Sequence, residues 1–300
     1  MKKLLLIVNP KAGKLAAKAV FYEIIQAFAL NGFLVTTYIT RAAGDASSMA
    51  KSATESGEYD LLVCLGGDGT LNETVNGILQ SGKSIPLGYI PTGSTNDFAN
   101  SLEIAADPIA AAKNIAGTEN KVILDAGRFN RERFFAYTAS FGAFTSTAYS
   151  VPQEMKNTFG HFAYLLAGIK DIASIKPYRV TVESGNETFT GDYIFGTVAN
   201  SFSLAGLIKF DHKKVDLNDG LFEVLLVKQP ENMGQLNKIV AGAFGSDFSD
   251  KEVFTFFKTD KISFEMPEDA NWTLDGEFAE GRQHILIENV KSAIELRHNK

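Results

Sequence analysis

The sequence predicts an α/β domain with a doubly wound parallel sheet, followed by a mainly antiparallel β domain. Three observations carry this prediction. Short apolar runs alternate with amphipathic helical segments as far as Ala116. From Lys121 onward β-rich runs succeed one another, and helical patterning survives in only two places. The chain has 300 residues, 45% hydrophobic and 21% charged with 8 prolines, which suits two buried cores and excludes disorder or low-complexity repeats.

The first strand is Lys3 to Val8, five of whose residues are consecutive apolar ones stopped by Asn9-Pro10. A helix follows over Ala16 to Leu30, where Ala17, Val20, Phe21, Ile24, Ile25 and Phe28 recur at helical spacing. Phe33 to Ile39 completes a βαβ unit. Next come a helix over Ala46 to Ser56, a strand over Leu61 to Leu65, a helix over Leu71 to Leu79, a short strand over Pro86 to Ile90 and a helix over Ala105 to Ala116. In the second half strands are expected at Lys121 to Phe129, Arg133 to Ser140, Tyr178 to Val182, Thr188 to Asn200, Gly220 to Val227 and Lys261 to Glu265. Helices are expected at Phe159 to Ile175 and Met233 to Ala243. The domains are read as 1–126 and 127–289, with residues 290–300 left open to return to the first. No Pro/Gly/Ser-rich linker separates them, so a cleft between closely packed domains is the default ligand site.

Charge and cysteine content narrow the function. Lys and Arg number 29 against 35 Asp and Glu, a net charge of −6, which argues against a broad basic surface following nucleic-acid phosphates. The one cysteine, Cys64, permits neither an internal disulfide nor a cysteine-based zinc site and fits a reducing compartment. Met1-Lys2-Lys3 with its short apolar run is too brief for a secretory signal. No stretch reaches the roughly eighteen apolar residues of a membrane helix, so a cytoplasmic protein is expected. The four histidines lack metal-ligand spacing.

The chemistry concentrates in loops. Gly66-Gly67-Asp68-Gly69-Thr70 directly follows an apolar strand and precedes a helix, where open α/β sheets present ligands. Glycines allow close backbone approach, and free N–H groups at the helix start favour phosphate oxygens. Asp68 would repel those phosphates unless a divalent cation or a hydroxyl donor stood between them. A glycine turn with an ordinary helix cap is the plainer alternative. Asn9-Pro10-Lys11-Ala12-Gly13 follows the first strand, and Pro91-Thr92-Gly93-Ser94-Thr95-Asn96-Asp97 follows the fourth. Together the three loops offer donors, hydroxyls and Lys11 for a nucleotide's phosphate chain. No GxxxxGK[ST] pattern exists, which disfavours an ordinary P-loop kinase.

In these motifs the chain resembles the diacylglycerol kinase catalytic family, which includes bacterial lipid kinases and the sphingosine kinases. The match lies in Asn9-Pro10 with Gly13, in Gly66 to Thr70 extended by Leu71-Asn72-Glu73, and in the loop from Pro91 to Asp97. It continues in Asp219-Gly220 and Asp275-Gly276-Glu277, so it spans most of the chain. Ser94 stands where the family usually has Thr and keeps the hydroxyl. The resemblance implies an NAD kinase/diacylglycerol kinase-like nucleotide domain that binds ATP, and a β-sandwich-like domain that closes over an acceptor lipid. It implies ATP and Mg²⁺ as cofactors, a lipid alcohol such as diacylglycerol as substrate, transient contact with the inner membrane surface, no nucleic-acid partner, and a homodimer as an open option.

Glu277 is then placed as the group that receives the acceptor's proton, with Asp275 assisting position or Mg²⁺ and Asp68 acting at the phosphates. A simple Asp-Gly β-turn is the alternative for the Asp275 motif. Thr40 and Thr92 are expected as hydroxyl contacts to the nucleotide. Asn96 and Asp97 are expected either there or as caps of the helix that begins beside them. Asp219 is assigned a structural Mg²⁺ with backbone oxygens at Asp216 and Leu221, since a hard cation takes carboxylate and carbonyl ligands; a plain hairpin is the alternative. Trp272 reads as packing or as lipid-pocket lining. Phe254, Phe256 and Phe257 with Lys251, Lys258 and Lys261 read as core or as a membrane-touching rim. Two other functions stay open: an NAD kinase-like phosphotransferase, because the GGDGT motif is shared, and a catalytically silent nucleotide- or lipid-binding regulator.

Overall fold

The computed structural model describes residues 1–12, 20–142, 175–201, 203–204, 208–209 and 216–298. The chain divides into two compact units, Met1–Ala126 with Lys291–Lys300, and Gly127–Val290. Of the expected first helix, residues 16–19 lie outside the described residues, and so does the expected helix 159–175 apart from Ile175.

The first unit runs β1 (Lys2–Val8), α1 (Phe21–Leu30), β2 (Phe33–Ile39), α2 (Asp45–Ser56), β3 (Leu61–Gly66), α3 (Asp68–Gln80), β4 (Leu87–Pro91), α4 (Asp97–Ser101) and α5 (Pro108–Gly117). Its strands lie in the order β2-β1-β3-β4, every pair parallel. Leu4, Leu6, Val8, Leu61, Val63, Leu65 and Ile90 share a core with Ile24 and Phe28 of α1 and Ala112 and Ile115 of α5. The intervening Leu5, Ile7, Leu62 and Cys64 are equally buried, and α2 and α3 pack together, with α2 against β1 and α3 against β3. Covering on both faces explains why these strands read as unbroken apolar runs.

Helix ends follow ordinary capping chemistry. Asp107 accepts the Ala110 N–H at 2.7 Å before Pro108 opens α5. The N-terminus of α2 is closed by a residue from another helix: the two oxygens of Glu73, on α3, accept the N–H groups of Gly44 at 2.9 Å and Ala46 at 3.2 Å. The two helices approach closely at Gly77, where an added Cβ would lie 2.2 Å from the Ser47 carbonyl oxygen.

The second unit contains β6 (Arg133–Phe135), β7 (Thr138–Gly142), β8 (Tyr178–Ser184), β9 (Glu187–Ala199), β10 (Ser203–Leu204), β11 (Ile208–Lys209), β12 (Phe222–Lys228), α6 (Met233–Gly245), β13 (Phe254–Thr259), β14 (Lys261–Glu265), β15 (Trp272–Leu274) and β16 (Glu277–Ala279). Two longer strands, β5 (Lys121–Phe129) and β17 (His284–Arg297), carry residues of both units. Within the second unit the pairing is antiparallel throughout. Strand β9 is its hub, pairing with β8 along its first half and with both β7 and β12 along its second. Trp272 sits fully buried, with ring centroids 4.9 Å from Phe141, 5.1 Å from Phe264 and 5.5 Å from Phe129.

Three differences from the sequence reading have physical causes. The single run expected over Arg133 to Ser140 breaks into β6 and β7, because the N–H groups of Ala136, Tyr137 and Thr138 turn to the Asp275 carboxylate. Strand β17 was not expected as a strand: at Ser292 the backbone adopts φ 53°, so the buried positions shift from Ile285 and Ile287 to Ile294 and Leu296 and the alternation loses its phase. Trp272 takes the packing alternative of its reading and lies in the core. The aromatic and basic rim also dissolves, since Phe254 is buried, Phe257 stacks on Phe189 at 5.1 Å, and Lys258 and Lys261 are engaged by carboxylates. Phe256, 41% exposed, is the one of the three rings that faces out. Among the described residues no helix is long and apolar enough to cross a membrane.

Gly77→Ala should therefore lower stability by about 2 kcal/mol or more, since backbone has to yield where α2 and α3 touch. Urea unfolding of the variant and the parent measures this.

Candidate functional site

Sheet order places the site. The connection from β1 leads to β2 on one side, while β3 and β4 lie on the other, so the carboxyl ends of β1 and β3 form the topological switch point where open α/β sheets bind ligands. Asn9 ties the two ends together. Its N–H donates to the Leu65 carbonyl at 3.0 Å, its side-chain Nδ2 donates to Thr70 Oγ1 at 2.9 Å, and its Oδ1 accepts the Lys11 N–H at 2.9 Å. The loop after β4 closes onto the same place. The Thr92 N–H donates to the Gly66 carbonyl at 2.8 Å. Gly67 and Gly93 meet backbone to backbone: a Cβ on Gly93 would lie 2.7 Å from the Gly67 Cα. Asn96, at φ 51°, folds its amide back to accept the Gly93 N–H and donate to the Gly93 carbonyl, each at 2.9 Å.

The structure thus gathers Asn9, Gly66, Gly67, Asp68, Gly69, Thr70, Thr92, Gly93, Asn96 and Asp97. Pro10 and Ala12 are half-buried beside Asn9, and Lys11 and Ser94 are exposed on the loops. Thr92 Oγ1 is buried and has no hydrogen-bond partner among the described residues. Thr40 is half-buried after β2, its N–H bonded to the Val8 carbonyl at 2.9 Å. Gly13 lies outside the described residues. Leu71 and Asn72 depart from expectation. Both are buried in α3; the Leu71 N–H is spent on the Gly67 carbonyl, and Asn72 accepts from Asn76, so their part is to build the helix rather than to face a ligand.

Two carboxylates stand at this point. Helix α4 is capped neither by the Asn96 side chain nor by Asp97. Asp68, the first residue of α3, reaches across, accepting the Asp97 N–H at 3.2 Å and the Phe98 N–H at 3.4 Å. Burial pushes the Asp68 carboxyl above the usual range, against the pull of these backbone donors. Burial, and then the charge of Asp68, pushes Asp97 up to about 7. Two half-buried acids of like charge are a stored cost that a cation relieves. Beneath them Cys64 is inert, its thiol raised to about 12 by burial.

In the second unit Asp275 and Gly276 make the two-residue turn between β15 and β16, both at positive φ, 51° and 84°. The acids on either side of this glycine face opposite ways. Asp275 is 2% exposed and accepts N–H groups from Ala136 at 2.7 Å and from Tyr137 and Thr138 at 3.0 Å each, while its own N–H donates to the Thr138 carbonyl at 2.9 Å. That carboxylate holds the turn, which fits the positioning alternative rather than the Mg²⁺ one. Glu277 is exposed. Asp219 is likewise engaged: its oxygens accept the Leu221 N–H at 2.9 Å and the Lys258 ammonium at 3.3 Å, and the exposed Asp216 accepts the Asn218 N–H at 3.0 Å. Among the described residues no group of three or more His, Cys, Asp or Glu could hold a metal ion by itself.

The model of the diacylglycerol kinase catalytic domain matches residues 3–126. The diacylglycerol kinase of Bacillus subtilis (strain 168) is 31% identical over 278 residues, covering 93% of this chain and 90% of its own. The chain belongs to the diacylglycerol kinase family. A diacylglycerol kinase of Staphylococcus epidermidis (strain ATCC 12228) is 32% identical over 298 residues, 98% of this chain and 92% of that one. Two crystal structures from Bacillus anthracis str. Sterne share the fold. One superposes with a TM-score of 0.83 at 24% identity, covering 99% of this chain and 95% of its own. The other, of a diacylglycerol kinase, gives 0.76 at 23%, covering 99% and 97%. As a member of this family the protein is a kinase, a phosphotransferase. Sequence reasoning had placed Asn96 and Asp97 as ligand contacts or caps; it missed the pairing of Asp97 with Asp68 and the closure of α2 by Glu73, for which no local pattern exists.

A pH dependence follows from Asp97. A carboxyl with a raised folded-state pKa binds a proton that the unfolded chain has already lost, so its contribution favours folding at low pH and fades from about pH 4 to about pH 7. Asp97→Asn should raise the melting temperature of the ligand-free protein at pH 8 and flatten its fall across that window. Scanning calorimetry at several pH values checks this.

Proposed function

We propose that this kinase transfers the γ-phosphoryl group of ATP to a hydroxyl of diacylglycerol or a similar lipid alcohol. The observation that carries the reading is the convergence of the loops after β1, β3 and β4 on the switch point of the parallel sheet, with Gly67 and Gly93 in backbone contact. Glycine-rich loops gathered at such a point suit the close approach of phosphates to backbone. The names of the relatives from Bacillus subtilis and Staphylococcus epidermidis support diacylglycerol as the acceptor.

In this reading Asn9, Gly67, Gly69, Thr70, Thr92 and Gly93 cradle the triphosphate, with Lys11 and Ser94 at its edge. Asp68 and Asp97 fit Mg²⁺, because a cation relieves the repulsion between two crowded, half-buried carboxylates. Bound there, Mg²⁺ would neutralise phosphate charge. Glu277, exposed at the mouth of its turn, takes the proton from the attacking alcohol. Asp275 is a positioning residue: its bonds to three successive amides hold the turn that presents Glu277. A lipid acceptor brings the enzyme transiently to a bilayer surface.

Turnover of ATP measured with diacylglycerol in mixed micelles, with sphingoid bases, with NAD and without acceptor tests the proposal. Phosphorylation of diacylglycerol or another lipid alcohol is expected; phosphorylation of NAD alone overturns it. Glu277→Gln should leave nucleotide affinity intact and reduce kcat about a hundredfold or more. Asp275→Asn should cost about 1–3 kcal/mol of stability, because one of the buried amides loses an acceptor. It should also lower kcat with the KM for ATP unchanged, a split read from initial rates.

A further inference from the structure

The cation that Asp219 was expected to hold has a competitor within the chain. Lys258 Nζ lies 3.3 Å from Asp219 Oδ2 and 2.9 Å from Glu223 Oε1. The second distance is set by the sheet: Glu223 on β12 and Lys258 on β13 are direct cross-strand partners in an antiparallel pair. Glu223 is 2% exposed. A carboxylate so deeply buried needs a positive charge beside it, because desolvating an unpaired ion costs several kcal/mol. Two of the groups assigned to a metal have partners of their own. Asp219 Oδ1 accepts the Leu221 N–H at 2.9 Å, and the Asp216 carbonyl accepts the Asp219 N–H at 3.4 Å.

A divalent ion bound to Asp219 would stand within a few ångströms of an ammonium, and like charges at such spacing repel strongly in a half-buried site. The residues present therefore do not fit a structural Mg²⁺ there. We propose that the Lys258 ammonium is the resident cation of the second unit, bridging Asp219 and Glu223 in the place a structural divalent metal would otherwise take. The fold of this unit is then independent of divalent metal, and a lysine fixed by strand register does the joining.

Thermal unfolding of the full chain without nucleotide, at constant ionic strength, in EDTA and in millimolar MgCl₂, tests this. The quantity read is the rise in Tm that Mg²⁺ causes. It should be the same in the parent and in Asp219→Asn; Mg²⁺ held elsewhere, at Asp68 and Asp97, cancels in the comparison. Lys258→Met should lower the Tm in EDTA by roughly 5 °C or more, because it leaves Glu223 unpaired. Adding Mg²⁺ should restore part of that loss. A Mg²⁺ increment present in the parent and lost in Asp219→Asn overturns the proposal, as does a Lys258→Met protein as stable in EDTA as the parent. If Lys258→Met does not fold, the comparison of the parent with Asp219→Asn still decides.

Discussion

Gly67 and Gly93 touch through their backbones, and the candidate site depends on that contact. A methyl group on either would drive the loop after β3 away from the loop after β4. Their meeting brings Thr92 to the Gly66 carbonyl and lets Asn96 fold back on Gly93. Asn9 then locks the loop after β1 to the same cluster through Thr70. Parallel register supplies the coarse alignment, since Val8 pairs with Leu65 and Gly66 with Pro91. The glycines supply the last few ångströms, and the three loops meet at one point.

Closeness has an electrostatic cost. The approach that seats Asp68 beneath the first amides of α4 also sets its charge against Asp97, and both carboxyls titrate high. In the proposed reading a cation and a polyphosphate relieve this repulsion together. Functional sites commonly hold their ionisable groups in such tension. The second unit shows the opposite economy: Asp275 meets three amides, and Glu223 meets an ammonium. Each of these buried acids has a partner inside the unit, while Glu277 is exposed.

The first unit was readable in the sequence almost strand by strand, because parallel strands covered on both faces leave continuous apolar runs such as Leu4 to Val8 and Leu61 to Leu65. The glycine loops were readable for the same reason: each follows such a run. What escaped depends on contacts between distant residues. Ser292 shifts the phase of β17 because Asp125 accepts its N–H at 2.7 Å, and no local pattern announces that bond. Strands β15 and β16 span three residues each, too few for periodicity. Asp275 and Glu277 look equivalent in sequence; only the amides of residues 136–138 decide which acid turns inward. Lys258 looked like part of a surface rim because its carboxylate partners lie on another strand and in the turn before it.

Leu296 pairs with Leu87 at the far side of β4, and this has a consequence for vectorial synthesis. A chain emerging from a ribosome makes β1 to β4 early, but the segment that covers the outer edge of β4 emerges only after all of β5 to β16. Until then the first unit presents an open parallel strand edge, the kind of surface that invites misplaced pairing. The nascent protein therefore holds the sheet of its first unit unfinished while the residues of the second unit are being made.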